Sequence, residues 1–234
     1  MFRMQIQSKK KCIWYCSAAV SFLLFLLLNL WCDHLVNMQD AQQMAGRWSE
    51  KKDVAQISCF FSSKAEVTED TIQSFEYSLK NVLQEASITE TSENPGARLW
   101  VDAYSADGKI TLVNGRNKLD ANAIGIGGDF FLFHPLKLIT GSYFSGNDLM
   151  QDYCIIDQDA AWQLFGSNDV VGMTVYIGNV PHIVTGVVRR PQGRMEKAAG
   201  LTSTVVYVSY ETLETYGTSN GINHYEIVMP NPVD

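Results

Sequence analysis

The stretch that decides the fold is residues 123–188. It opens with AIGIGGDFFLFHPLKLITGSYFS (residues 123–145). It continues with DQDAAWQLFGSNDVVG (157–172) and closes with VYIGNVPHIVTGVV (175–188). Glycines at Gly128, Gly141, Gly166, Gly172, Gly178 and Gly186 cut it into short strands, one short helix and a hairpin. Asp159 is placed to accept from the free N–H groups that open a helix, which makes it the expected N-cap of 160–165. Gly166 stands where a left-handed C-cap residue is needed. Val175, Tyr176 and Ile177 face Ile183 and Val184 across Gly178-Asn179, two residues that tolerate positive φ, so a hairpin is expected. Pro181 has no N–H and belongs at the start or edge of its strand. Gly186 inside the second strand implies a bulge or a close backbone approach.

Working outward toward the N-terminus, residues 12–32 carry no charge, and 22–28 are nearly pure Leu and Phe. At about 1.5 Å per residue such a helix reaches roughly 30 Å, the thickness of a bilayer core. Lys9, Lys10 and Lys11 flank it on one side and Asp33 on the other, which places the N-terminus in the cytoplasm. A cleaved signal peptide would need a shorter apolar core and a small-x-small site, whereas the exit reads N-L-W-C-D-H. An uncleaved single-pass anchor is therefore expected. Residues 33–53 read as a stalk or linker.

The body then reads as a strand (54–61), an amphipathic helix (68–86) and a strand (99–104). Thr68 is the expected cap, with Glu69 and Asp70 at the positive helix end. Ile72, Phe75, Leu79, Val82, Leu83 and Ala86 recur at helical spacing and are assigned to the core. Strand–helix–strand implies two parallel, neighbouring strands. Residues 87–96 and 189–201 read as loops. Asp107-Gly108 and Asn114-Gly115 read as turns around a strand at 110–113. A strand at 205–208, a short helix at 211–216 opened by Ser209 or Tyr210 and stopped by Gly217, and a last strand at 225–229 complete the chain. The expected fold class is α+β: a transmembrane helix, then an α/β (βαβ) subdomain (54–106 and 187–234) carrying a β-rich inserted subdomain (107–186).

Composition narrows the function. The chain of 234 residues is 46% apolar and 18% charged, with a net charge of −7. All 25 acidic residues lie after Trp31, against 14 basic ones there, which argues against a nucleic-acid partner. Arg189, Arg190, Arg194 and Lys197 are the one basic cluster of the body and read as a solvated loop. Of five cysteines, only Cys59 and Cys154 lie in the body; they either pair or stay as free thiols.

The search for chemistry assigns no catalytic, cofactor-binding or metal-binding residue. Gly125-Ile126-Gly127-Gly128 lacks the third glycine of a dinucleotide loop and reads as a turn or strand end. No G-x-x-x-x-G-K-[ST] is present, so this sequence holds no phosphate-binding ATPase loop. His34, His134, His182 and His224 show no paired metal spacing and read as surface or core residues. Asp148, Asp152, Asp157 and Asp159 form an acidic run without the order of a calcium loop. Phe130, Phe131, Phe133 and Phe144 read as core, with one exposed member available to a protein interface.

A resemblance rests on F-x-x-x-x-L-K-L-I-x-G-x-x-F, then I-I-D-x-x-A-x-x-L-F-G-S-x-D-V-V-G-x-x-V-x-I, then I-V-x-G-V-V. These are Phe131, Leu136 to Ile139, Gly141, Phe144, Ile155 to Asp157, Ala160, Leu164 to Gly166, Asp169, Gly172, Val175, Ile177, Val184 and Gly186 to Val188. The ordered set resembles the extracytoplasmic core domain of MacB-type ABC transporter permeases, in which one membrane span precedes the domain. The resemblance implies a non-enzymatic protein of the cell membrane with its domain outside. It also implies a separate ABC ATPase and further permease or accessory subunits as partners, with no cofactor. Permeases of this kind carry further spans after the domain and a last strand–helix, and neither is seen before Asp234. The rival reading is a stand-alone single-span binding or sensor module. A large pocket in the β-rich part favours the rival; a filled one favours mechanical coupling. An anchored hydrolase stands third.

Overall fold

The uncharged N-terminal run lies in α1 (Phe2–Asn37). The computed structural model describes residues 2–49, 54–88, 98–190, 193, 198 and 203–231. Within α1, Trp14–Asn37 is 24 residues and is long and apolar enough to cross a membrane. Leu23, Phe25 and Leu30 on this helix are all exposed, an arrangement suited to lipid rather than to water. The amide of Asn29 donates to the Phe25 carbonyl at 2.8 Å, so the helix satisfies its own polar side chain. A 3₁₀ turn, Asp40–Gln43, follows. Residues 1–43 and 44–234 form two separate units.

The second unit begins with α2 (Met44–Trp48), β1 (Val54–Phe60) and α3 (Glu69–Glu85). A long hairpin of β2 (Val101–Asn114) and β3 (Asn117–Gly128) follows, then α4 (Phe130–Phe133), β4 (Leu138–Gly141), β5 (Tyr153–Asp157) and α5 (Gln158–Phe165). The chain continues with β6 (Thr174–Ile177), β7 (Val180–Val188), β8 (Val205–Ser209), α6 (Tyr210–Tyr216), β9 (Thr218–Ser219) and β10 (His224–Pro230). The sheet runs β1-β10-β2-β3-β8-β5-β7-β4. In addition β6 pairs with both β2 and β7, so β2-β3-β8-β5-β7-β6 close into a ring. Two of the ring's ladders, β3–β8 and β5–β7, are parallel.

The expected α+β class holds, with one correction to strand order. β1 and β2 are parallel to each other, but β10 lies between them and is antiparallel to both. Periodicity shows that a segment is a strand and which face it buries; it does not show which strand lies beside it. A second correction concerns Asp107-Gly108, which makes no turn. β2 runs straight through it, with Lys109 opposite Asn122. Gly108 is a close-approach glycine: a Cβ there would strike the Thr218 carbonyl and the Leu213 side chain.

Local signals elsewhere place the elements well. Thr68 caps α3, and its N–H reaches Thr71 Oγ1 at 3.4 Å. The apolar stripe of α3 is narrower than expected. Ile72 and Leu83 are buried and Leu79 is partly buried, while Phe75 and Val82 stay exposed. Gly178 and Asn179 both take positive φ and join β6 to β7. The bulge near Gly186 is present: Cys154 pairs with Val184 and Ile155 with Gly186, leaving Thr185 extra. Ser209 caps α6 by accepting from Thr212 N at 3.2 Å. Gly125 to Gly128 form the end of β3.

Among the described residues this unit has two apolar cores. The larger gathers Ile110, Leu112, Ile156, Ile177, Val184 and Val206 from the ring strands, all essentially without solvent. The second gathers Phe130, Phe131, Phe133 and Phe144 against Val101, Ile126 and Val228. All four phenylalanines are buried, so none is left for an interface; Leu132 beside them is the exposed one. Cys59 on β1 and Cys154 on β5 are free thiols with four strands between them, so they form no disulfide. Burial pushes the Cys154 thiol up to about 12.

Candidate functional site

β1, β10 and β2 lie side by side with fixed register. Glu226 stands opposite Ser58 on one neighbour and Ala103 on the other; His224 stands opposite Phe60 and Ser105. Two residues apart on one strand, His224 and Glu226 share a face. His134, the C-cap of α4, comes over that face. Its Nε2 lies 2.6 Å from Glu226 Oε2, and His224 Nε2 lies 3.6 Å from Glu226 Oε1. Ser58 Oγ donates to Glu226 Oε1 at 3.0 Å. Phe60 stacks on the His224 ring at 4.5 Å between centroids, and Phe130 on the His134 ring at 4.6 Å.

Glu226 is only 1% exposed. The 2.6 Å approach is close but out of line: among the described residues Glu226 Oε2 and both Nε2 atoms are buried without an aligned hydrogen-bond partner. Burial raises the pKa of the Glu226 carboxyl, and the imidazoles and the Ser58 hydroxyl outweigh it, leaving the group below the usual carboxylate range. Burial pushes His224 down; His134 adds to that shift and Glu226 opposes it. Both imidazoles line a cavity of about 320 Å³ together with Phe60, Asp107, Tyr207 and Asn223.

A second buried carboxylate lies at the start of α5. Asp157, and not Asp159, is the N-cap: its Oδ1 accepts from Ala160 N at 2.8 Å. Its Oδ2 accepts from Val205 N at 3.0 Å and from Arg190 Nη2 at 2.6 Å and Nε at 3.1 Å. Asp159 sits in the first turn of the helix, half-exposed, with Oδ2 2.6 Å from Arg190 Nη1. Only the folded position of Arg190 and Val205 separates the two aspartates, since each offers a carboxylate near the helix start. Arg190 is thereby tied into the fold rather than solvated; Arg194 and Lys197 lie outside the described residues, as do most of the loops expected at 87–96 and 189–201.

A third group joins α3 to β2. Burial and the Asp102 carboxylate push the Glu76 carboxyl up to about 8. Burial also raises Asp102, which accepts from Tyr225 Oη at 3.3 Å. A cavity of about 470 Å³ lies alongside, bordered by Lys80, Gln84, Arg98, Trp100 and Asp102. Arg98 pairs with Asp129.

The structure does not assemble the acidic run. Asp148 accepts from Ser145 N at 2.9 Å within its own turn, and Asp152 Oδ1 is buried without a partner among the described residues. Among those residues the one converging group of three ligand-type side chains is His134, His224 and Glu226, with ligand atoms within 4.8 Å of one another. The four histidines divide. His182 is a core residue between the Val180 carbonyl and Thr212 Oγ1, and His34 is exposed on α1. His134 and His224 meet, although 89 other residues separate them in sequence. The alternation His224-Tyr225-Glu226 on a strand was the available signal.

A mixed sheet packed by helices, preceded in sequence by a helix long and apolar enough to cross a membrane, defines an α+β domain protein. The chain belongs to the MacB-like periplasmic core domain family, which matches residues 38–233. It is 31% identical over 96 residues to the macrolide export ATP-binding/permease protein MacB of Chromobacterium violaceum, covering 40% of this chain and 14% of that protein. It is 30% identical over 116 residues to the protein of the same name from Pasteurella multocida, covering 49% and 18%. The chain thus spans less than a fifth of the curated relatives it matches. The periplasmic region of MacB from Actinobacillus actinomycetemcomitans aligns at 22% identity over 65% of this chain and 66% of that one, with a TM-score of 0.43. The extracellular domain of the noncanonic ABC-type transporter YknZ from Gram-positive bacteria aligns at 18% over 76% and 84%, with a TM-score of 0.44.

Proposed function

We propose that this chain is the membrane-anchored extracytoplasmic domain of an ABC-transporter permease, and that it couples or docks partners during export. The observation that carries the reading is the family match over 38–233 directly after an apolar helix of spanning length. Residues 1–11 are cytoplasmic, 12–32 cross the bilayer once, 33–53 form the stalk and the rest is outside; Lys9 to Lys11 against Asp33 support this orientation. The filled ring supports coupling, because a domain that transmits motion as a rigid body needs a packed interior. In this reading ATP hydrolysis supplies the energy, which the name of the curated relatives, ATP-binding/permease protein, supports; the ATP-binding part is proposed as a separate subunit. Leu149 and Met150, exposed on the loop before β5, are the contacts offered to an accessory partner.

The test is purification of the chain from native membranes in mild detergent, with ATP hydrolysis as readout. An ABC ATPase is expected to copurify in fixed proportion, and a flexible Gly-Ser insertion after Asn37 is expected to abolish the coupling of its hydrolysis to export. A chain recovered without an ATPase, and indifferent to the insertion, is a single-span binding or sensor module instead.

A further inference from the structure

Three buried polar atoms without an aligned hydrogen-bond partner among the described residues converge from two elements far apart in sequence. Glu226 Oε2 and His224 Nε2 come from β10, and His134 Nε2 comes from the end of α4. A buried carboxylate oxygen left without a donor is costly, as is a buried imidazole nitrogen without a partner. All three become satisfied if their lone pairs share one cation. We propose that His134, His224 and Glu226 bind a borderline divalent transition-metal ion, Zn²⁺ first among them.

The chemistry of the donor set fits. Two imidazoles and one carboxylate are a zinc ligand set whose fourth position is taken by water or an exogenous ligand. Both imidazoles border the 320 Å³ cavity, so the fourth position opens there. The ligand atoms already lie within 4.8 Å of one another. A tetrahedral site with bonds near 2.1 Å needs ligand separations of about 3.4 Å. The ion therefore spreads the 2.6 Å His134–Glu226 approach slightly and draws His224 inward. The supporting shell is in place. Ser58 Oγ holds Glu226 Oε1, and Phe60 and Phe130 fix the two ring planes by stacking. The bound ion pins α4 to the strand between β1 and β2. None of this depends on the transport reading.

The experiment uses the full chain in detergent, stripped with chelator and titrated with Zn²⁺ by calorimetry. One site per chain is expected. Glu226→Gln and His224→Asn should each weaken it by more than about 100-fold, beyond the 10–100-fold that loss of an outer-shell contact costs. Ser58→Ala should weaken it by about 10-fold, and His34→Ala, on the apolar helix, should leave it unchanged. Each variant is compared with the parent in chelator, so that a folding defect is seen separately. Co²⁺ on the unaltered chain needs no variant: the intense visible absorption of a tetrahedral site supports the proposal. No absorption, a weak octahedral spectrum, or Zn²⁺ binding indifferent to Glu226 and His224 overturns it and leaves a buried His134–Glu226 ion pair.

Discussion

Asp157 and Glu226 are both buried carboxylates on strands, and they have opposite fates. Asp157 receives donors from Ala160, Val205 and two nitrogens of Arg190, so both of its oxygens are engaged in line. Glu226 receives one aligned donor, Ser58, and otherwise faces two imidazoles that miss hydrogen-bond geometry. The first joins the start of α5, the start of β8 and the end of β7 into one node. The second leaves coordinating capacity unused at the cavity between α4 and the sheet. A buried carboxylate whose oxygens are all satisfied in line holds a fold together; one whose oxygen lies beside imidazole nitrogens without aligned hydrogen bonds is available to a ligand.

The largest test of that contrast is Asp157→Ala. It removes a cap and the buried carboxylate that Arg190 binds, leaving Arg190 beside the half-exposed Asp159 and the Thr204 hydroxyl. A loss of about 3–5 kcal/mol in unfolding free energy is expected, read from the denaturant midpoint. A loss below 1 kcal/mol would remove the distinction between the two sites.

Next comes the pair formed by Glu76 and Asp102, a carboxylate arrangement intermediate between the two. The folded Glu76 carboxyl titrates at about 8 instead of its ordinary 4.5. Because the folded value is the higher one, the stability it contributes is complete below about 4.5 and is lost as pH rises through about 8. Glu76→Gln, which keeps a donor toward Asp102, should flatten that decline: equal midpoints near pH 4, and a higher midpoint than the parent above pH 8. Parallel curves for the two proteins would show that folding leaves the Glu76 carboxyl at its ordinary value.

Glu226→Gln in chelator should cost only about 1 kcal/mol, since an amide carbonyl still accepts from Ser58. A cost matching that of Asp157→Ala would make Glu226 a structural node after all. Smallest is Asp159→Ala. Its ion pair with Arg190 is half-exposed, so the midpoint should move by about 0–1 kcal/mol; a larger loss would show that Asp159 shares the capping work of Asp157.

The elements that sequence reading placed well are those specified within a few residues. The Thr68 cap, the Gly178-Asn179 hairpin, the Gly166 C-cap and the Ser209-to-Gly217 helix each depend on one or two side chains acting on neighbouring backbone. The misreadings concern distance. Gly108 looks like a turn residue until Leu213 is seen lying over it. Phe75 and Val82 look like core until the sheet proves to cover a narrower face of α3. His134 and His224 look solitary because their meeting depends on α4 folding back over β10.

By itself the sequence determined the apolar helix, the kinds of elements that follow it, their caps and turns, and a family resemblance carried by ordered local motifs. Tertiary structure alone decided that β10 lies between β1 and β2, that β6 closes the ring, and which of several carboxylates would be satisfied. The physical reason is that backbone dihedrals, caps and side-chain alternation are local properties. Strand pairing between distant segments is not, because the entropy of closing a loop changes only slowly with its length. Many pairings are then nearly equal by local measures, and the choice among them falls to packing: which apolar faces fill the two cores, and which buried polar atoms find partners when they do.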